Sequence, residues 1–581
     1  MLLHTTTQCS ITNALWSLQE VNHRAALTLS QKFQLPEILA QILVIRGIKI
    51  ENMINFLNPR IQSSLPDPLH LIDMDKAILR IIHAINHNER IAIFGDYDVD
   101  GVSSSALIHR YLKEINVNSI IYIPNRINEG YGLNSNALLQ LKKLGIDLCI
   151  AVDCGTISYK PIADAQQVNL DIIVIDHHLG ANALPCAVAI VNPNRLDENS
   201  PYNYLAAVGV TFLLLVALNR ALRMQGFFLK QKEPNLFNLL DLVALGTVCD
   251  VMQMIELNRA FVLQGLKVMA QKKNIGLSIL FNYLGILEKP NASRLGFSIG
   301  PCINASGRIG DESLGTKLLT TNDIKEAHTI ALKLIESNKI RQSLEREAIL
   351  EAMIQAKKYI TLKTNFIMVL GKWHQGIIGI IASRLREQFH LPTIVISMSH
   401  GIGKASCRSI VGIDIGAAIL SAKEMNHIIE GGGHNMAAGF SVAEEKISEL
   451  HDFFAARFSH STQNKILKAD LIISIQAINL SLWNQIKKLE PFGPGNPEPR
   501  FILQGIKIKQ PSIIGKDHIR CNITDNTIVV KAIAFRAVNT ELGFAIMQGN
   551  VKEIFGKLLI NYWHGNEYIL FSIEDLLTLS S

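Results

Sequence analysis

A chain of 581 residues, 48% hydrophobic and 18% charged, is too long for one core and too apolar for disorder, so three or more globular domains are expected. Its net charge of +6 permits a nucleic-acid partner without requiring one. The eight cysteines are scattered with no CxxC pair, which excludes a zinc ribbon or a disulfide scaffold and fits a reducing cytoplasm.

Residues 1–69 read as a helical segment that buttresses the catalytic domain. Their start, MLLHTTTQCSITNALWSLQE, lacks the basic region and apolar core of a secretory signal. From residue 91 onward, strand and helix alternate. IAIFGDYD (91–98), SIIYIP (119–124), DLCIAVDCG (147–155) and LDIIVIDHH (170–178) read as strands, with SSALIHRYLKEI, NALLQLKKLG and ISYKPIADAQQ as the helices between them. Near-continuous Val/Ile runs separated by helices predict an α/β fold with a parallel sheet covered on both faces. The apolar run YLAAVGVTFLLLVAL (204–218) is shorter than the ~20 residues a membrane helix needs, and reads as a buried helix rather than a membrane span.

The first strand runs into Asp96, Asp98 and Asp100. A surface turn uses the same residue types. In extended geometry, however, alternate residues point to one side, so three like charges would be crowded together unless a cation sat between them. The next strands end in Asp153 and in Asp176, His177 and His178, and Asp250 closes the helical pattern LLDLVALGTVCDVM. In open α/β sheets ligands bind at the carboxyl ends of the strands. Oxygen and imidazole ligands gathered there are what a two-metal site for phosphoryl chemistry requires.

GDYDVDG, VDCG, the literal DHH at 176–178 and the CD at 249–250 resemble the four motifs of the DHH phosphoesterase superfamily, and GGGHNMAAGF (431–440) resembles the signature of its DHHA1 companion domain. INASGRIG (303–310), WHQGIIGIIASRL (373–385), GKASCRSI (403–410) and LEPFGPGNPEPRF (489–501) extend the likeness toward the superfamily's single-stranded-DNA-specific exonucleases. The resemblance implies a pair of Mn²⁺ or Mg²⁺ ions held by Asp96, Asp98, Asp100, Asp153, His177 and Asp250, with Asp153 bridging. It places His178 against the scissile phosphate or behind the metal ligands, and Arg308 and His434 in the catalytic set. Arg126, Asn304, Ser406, Arg408, Gly432 and Gly433 would hold DNA and its 5′-phosphate. Some members carry a histidine where this chain has Phe94, which puts the ligand set of the first metal in question, and Val99 stands where the family commonly has Ala.

The proline-free stretch from 321 to 360 reads as a connecting helix. Beyond it strand, helix and strand resume and lead to a glycine-rich turn at 431–433, whose amides suit phosphate oxygens. From ADLIISIQAI onward short β-rich runs predict a small barrel, an OB fold by resemblance, with Lys507, Lys509, Arg520, Lys531 and Arg536 as candidate phosphate contacts. The linker at 489–499, with four prolines and two glycines, cannot be helical and reads as a rigid connection. The expected organisation is a helical segment (1–69), a DHH domain (70–310), a connecting helix (311–362), a DHHA1 domain (363–464) and an OB domain (465–581).

The activity this implies is hydrolysis of single-stranded DNA from the 5′ end, releasing 5′-mononucleotides, by a cytoplasmic monomer acting in recombination and repair. Single-stranded DNA, a single-strand-binding protein and a RecQ-type helicase are the implied partners. A phosphodiesterase for short RNA or dinucleotides such as pAp is the alternative within the superfamily, and the segment after 465 argues against it. A non-catalytic replication scaffold would need lost ligands, and here the carboxylates and the histidine all remain.

Overall fold

The structure, a computed structural model, describes residues 4–5, 9–126, 128–362, 364–459, 465–549, 551–563 and 566–578. Ile91–Gly95 and Leu148–Val152 are apolar runs buried at every position, and Asp171–Ile175 and Ala189–Val191 are nearly so. Together with Ser119–Tyr122 they form a five-stranded, all-parallel sheet. Its spatial order starts with Ser119–Tyr122, continues to Ile91–Gly95 and then follows the chain, so the order reverses beside the first strand. The sheet registers Gly95 with Val152, Val152 with Ile175, and Ile175 with Val191. Asp96, Asp153, Asp176 and Asn192, each one residue further on, therefore stand in a row at one sheet edge.

The first strand stops at Gly95, three residues earlier than expected. Asp98 is the N-cap of the helix Val99–Glu114, its carboxylate accepting from the amides of Asp100 and Gly101. Asp100 lies in that helix's first turn. The alternating extended arrangement of the three aspartates is thus corrected: a cap, which satisfies orphan amides, wins over a longer strand. Ala207–Met224 and Leu240–Cys249 pack beside this helix, and with 72% of the first of these buried, the apolar run lies in the core as expected.

The connecting segment is two helices rather than one. Ser313–Thr320 ends before Asp323, which caps the 38-residue helix Ile324–Thr361. The later turns of the long helix bury Ala348, Ala352 and Ala356 against Ile367 and Val369 of a second five-stranded sheet and Ile381 of the helix Ile378–Phe389. That sheet runs Glu430–His434, Ala437–Ala443, Ile402–Arg408, Thr393–Ser399, Ile367–Gly371, antiparallel except for its last pair. The glycines at 431–433 lie in its edge strand, not in a turn; the turn falls at Asn435 and Met436. These elements belong to one unit, residues 65–253 and 260–462.

The second unit gathers residues 1–64, 254–259 and 463–581. Its main sheet has seven strands, from Leu471–Ile472 to Lys507–Ile514 at the two edges. Residues 1–69 are not simply helical and do not all buttress the catalytic sheet. Ala14–Leu18 is a strand paired in parallel with Lys465–Ala469, and Leu39, Ile42, Leu43 and Met53 share a core with Ile519, Ile523 and Phe571. The reason is an apolar ladder hidden in a polar-looking start: Trp16, fully buried, packs on Phe555 and donates its indole N–H to the buried carboxylate of Asp575 at 2.8 Å. The linker at 489–499 lies in the same unit, where Asn496 donates to the carbonyls of Leu489 and Pro491. Trp16→Phe removes one partner of a fully buried carboxylate and leaves a void, so it should destabilise this unit by roughly 2–4 kcal/mol in a denaturant titration.

Candidate metal centre and phosphate site

The row of strand ends is closed by two helix ends. Both Asp100 oxygens accept amides from Ala207 (2.7 Å) and Val208 (3.0 Å), and so cap a helix whose own N-cap residue, Ala206, offers no side-chain bond. Asp250 is the C-cap of Leu240–Cys249. His177 Nε2 sits in the middle, 3.3 Å from Asp153, 3.5 Å from Asp250 and 3.9 Å from Asp100. Three sets of ligand atoms each lie mutually within 4.8 Å: Asp96, Asp98 and Asp153; Asp153, His177 and His178; and Asp100, His177 and Asp250. Asp153 belongs to two of the three.

Asp96 Oδ1, Asp153 Oδ1 and Asp250 Oδ2 are buried and accept no hydrogen bond from any described residue. Burial, and next the charge of Asp98, pushes the Asp96 and Asp153 carboxyls well above the ordinary range. The same two causes raise Asp100 to about 7, and burial with Asp100 nearby raises Asp250. Buried carboxylate oxygens aimed at one another without donors are what a divalent cation satisfies, and a mixed O/N set suits Mn²⁺ or Mg²⁺. The residues present fit such ions. Phe94 is fully buried and stacked on Tyr122 at 5.2 Å, so it lies in the sheet core and offers nothing to the centre.

His178 differs from its neighbour. Burial opposes its charge, but the 2.7 Å hydrogen bond from its Nδ1 to Asp176 outweighs that and holds it at about 9. His177, buried and beside that charge, is lowered to about 4 and so presents a neutral imidazole. Asp176 is not a member of the ligand sets; it also accepts from Thr156 and from the amides of His177 and His178, which makes it the fixed base under the histidine pair. Asn192, next in the row, donates to Thr156 and to the His178 carbonyl. Thr156 and Asn192 were not singled out from the sequence, although the row in which Asn192 stands follows from the strand register.

Arg126 lies 4.8 Å over the Tyr97 ring. Arg308, in the helix Gly300–Ile309, donates to the Gly376 carbonyl at 2.9 Å. Asn304, one turn earlier, shares its helix face, and a Cβ on Gly307 would come to 3.0 Å from the Tyr97 carbonyl oxygen. Ser406 and Arg408 alternate on one strand and face the same way; Arg408 donates to the Ser406 hydroxyl at 3.1 Å. A Cβ on Gly379 would crowd both at 3.2 Å, so the glycine leaves a cradle in front of them. Burial and then the charge of Arg126 lower Arg308 to about 10, and burial with neighbouring cations, Arg126 among them, lowers Arg408. Arg126 therefore repels both Arg308 and Arg408.

Gly432 faces open space, and Gly433, at φ +155, could carry no side chain because a Cβ would strike the Ala438 backbone at 2.4 Å. The exposed imidazole of His434 makes no ion pair or hydrogen bond with a described residue, and the Asn304 side chain likewise makes none. The structure brings neither into the metal sets. Sequence reasoning missed Tyr131, whose hydroxyl reaches the Asp153 carbonyl and His178, and His374, whose Nδ1 accepts the Gly376 amide; both lie in motifs noticed for their neighbours.

Comparison with known proteins accounts for most of the chain. Family models match for the DHH family N-terminal domain over residues 90–247, the DHHA1 domain over 363–460 and the RecJ OB domain over 469–575. The single-stranded-DNA-specific exonuclease RecJ of Salmonella typhimurium is 33% identical over 562 residues, covering 93% of this chain and 96% of that one. Its namesake in Escherichia coli is 33% identical over 563 residues, at 94% and 96% coverage. The crystal structure of RecJ from Thermus thermophilus in complex with Mn²⁺ superposes with a TM-score of 0.81 at 25% identity, covering 97% of this chain and 80% of that one; its Mg²⁺ complex gives 0.75. The fold is therefore a DHH domain, a DHHA1 domain and an OB domain, as the sequence implied.

Asp100, raised to about 7 from 3.8, and His178, raised to about 9 from 6.5, both contribute stability that is present at low pH and lost as pH rises through those values. His177, lowered to about 4 from 6.5, adds stability only up to about its ordinary value and changes nothing above it. Metal-free protein should therefore lose thermal stability between about pH 6.5 and about pH 9. Saturating Mn²⁺ should raise the melting temperature more at the upper end of that window than at the lower, as read by scanning calorimetry with and without EDTA.

Proposed function

The chain belongs to the RecJ family of single-stranded-DNA-specific exonucleases, and from that premise we propose that it hydrolyses single-stranded DNA from its 5′ end and releases 5′-mononucleotides. The observation that carries this reading is the pairing of a buried acidic row, its oxygens lacking donors among the described residues, with a cluster of arginines in the same unit in which Arg126 repels both Arg308 and Arg408. Asp96, Asp98, Asp100, Asp153, His177 and Asp250 would hold the divalent ions, Mn²⁺ or Mg²⁺, and Asp153 belongs to two of the three ligand sets. When bound, the ions supply an activated water and charge neutralisation at the phosphate.

The rest is done by side chains. His178, kept charged and oriented by Asp176, presents its positive charge to the scissile phosphate, and Arg308 stabilises the charge that develops there. Arg126, Ser406 and Arg408 take the 5′-terminal phosphate, for which a guanidinium fork and a hydroxyl are suited partners. The amides of Gly432 and Gly433, the side chain of Asn304 and the imidazole of His434 contact the strand next to the terminal nucleotide. Recognition of a terminal phosphate, with no base-reading element, gives polarity without sequence preference.

Lys507, Lys509, Arg520, Lys531 and Arg536 of the OB domain lead the strand along its backbone, and Lys531 lies 5.9 Å over the Tyr568 ring, a basic and aromatic pairing of the kind single strands use. The enzyme acts as a monomer in the cytoplasm, on strands prepared by a RecQ-type helicase and covered by a single-strand-binding protein, in recombination and repair. The presence of the OB domain argues against a dinucleotide phosphodiesterase.

Single-stranded DNA labelled at either end should lose its 5′ label first, as a mononucleotide, in Mn²⁺ or Mg²⁺, and Asp98→Ala should lower the rate by at least about a hundredfold. Release of the 3′ label first, or cutting of dinucleotides alone, would refute the reading. With the same assay, Arg408→Ala should raise KM for 5′-phosphorylated substrate roughly ten- to a hundredfold, the size of one charge-assisted contact, and should abolish any preference over a 5′-hydroxyl end.

A further inference from the structure

Asp153 sits at a strained point. Its φ is +62°, in the left-handed region, at the end of a fully buried strand. Such a conformation persists where surrounding contacts over-determine it. Its amide donates to the Ile175 carbonyl at 2.9 Å, which fixes one side of the residue in the sheet ladder. The other side is held by Tyr131, whose hydroxyl lies 3.2 Å from the Asp153 carbonyl oxygen. The same hydroxyl abuts the imidazole edge of His178, 3.1 Å from Nε2 and 3.2 Å from Nδ1, with the rings edge-on at 5.7 Å. Because His178 Nδ1 is already given to Asp176 at 2.7 Å, Nε2 is the nitrogen left to meet the tyrosine.

One hydroxyl therefore touches both the aspartate common to two ligand sets and the second histidine of the DHH triplet. Tyr131 itself follows Gly130 and precedes Gly132, both with positive φ, so its backbone is set by a tight loop rather than by a helix or strand. Its ring is 54% exposed, which is not the placing of a residue whose task is core packing. A second ring, Tyr97, meets it edge-on at 6.4 Å and keeps it from swinging away.

We propose that Tyr131 is a positioning residue for this centre: its hydroxyl locks the left-handed Asp153 peptide and the His178 imidazole into one arrangement, so that the Asp153 carboxylate keeps its aim at both ions. The inference rests on the reading of this site as a two-ion centre. It assigns the work to the hydroxyl and not to the ring. Without the hydroxyl, Asp153 can relax toward ordinary backbone geometry, and its carboxylate then spends less of its time aimed at the ions.

The test is Tyr131→Phe beside Tyr131→Ala in the full chain, using two Mn²⁺ titrations. One follows the rate on 5′-phosphorylated single-stranded DNA; the other follows the melting temperature with Mn²⁺ alone. Losing one neutral hydrogen bond should raise the Mn²⁺ needed for half effect in both titrations by roughly three- to tenfold. The turnover rate should fall by a similar factor while KM for DNA stays within about twofold, a split that separates positioning from substrate binding. Wild-type behaviour of Tyr131→Phe in both titrations overturns the proposal, as does a change in KM alone or a defect confined to Tyr131→Ala. If the wild-type chain leaves single-stranded DNA uncut, the exonuclease reading fails, and the melting titration still decides the role of Tyr131.

Discussion

Burying several carboxylates at one point is the constraint from which the rest of this catalytic unit follows. Parallel strands registered at Gly95, Val152 and Ile175 deliver Asp96, Asp153 and Asp176 side by side. Like charges out of water raise one another's affinity for protons and destabilise any fold that holds them without partners. The molecule meets this cost in two ways. Asp98 and Asp100 spend oxygens on the first amides of two different helices, where the helix dipole favours negative charge. Asp96, Asp153 and Asp250 keep oxygens with no donor among the described residues, which cations would satisfy.

The histidine pair shows how backbone adjacency yields two chemistries. His177 faces three carboxylates at distances too long for good hydrogen bonds and is neutral, as a metal-binding imidazole must be. His178, one residue on, is turned to Asp176 and stays charged. Asp176 thus supports both residues while standing outside the ligand sets, which is why a motif written as three letters contains an aspartate that is not itself one of the ligands proposed here.

Much of this was legible in the sequence because it depends on strand periodicity and on the rule that ligands gather at strand ends. The parallel sheet, the polar row at its strand ends and the buried apolar helix at 207–224 all follow from those two signals. What was not legible depends on competition between local structures. Asp98 can extend a strand or cap a helix, and only the tertiary position of Val99–Glu114 selects the cap. The glycines at 431–433 look like a turn, yet pairing with Ala438, Gly439 and Phe440 draws them into an edge strand. Residues 1–64 carry no motif, and their membership in the OB unit depends on partners more than 400 residues away, such as Asp575 for Trp16.

The basic half of the site mirrors the acidic half. Arg126 depresses both Arg308 and Arg408, and each of those guanidinium groups is braced by a carbonyl of the DHHA1 domain, Gly376 for Arg308 and Cys407 for Arg408. Where the halves adjoin, Asp96 feels Arg126 and Arg308 feels Asp98, but neither pair closes into an ion pair within 4.0 Å among the described residues. The opposite charges could have cancelled by direct contact, and a fold selected for stability alone would have let them. Held apart, each cluster keeps its charge for a ligand of the other sign, which under the function proposed above is divalent cations for the acidic row and phosphate for the arginines. A phosphodiester brought in with its metal ions relieves both repulsions at once. The strain stored in the free protein therefore becomes binding energy for the one class of substrate that carries both complements.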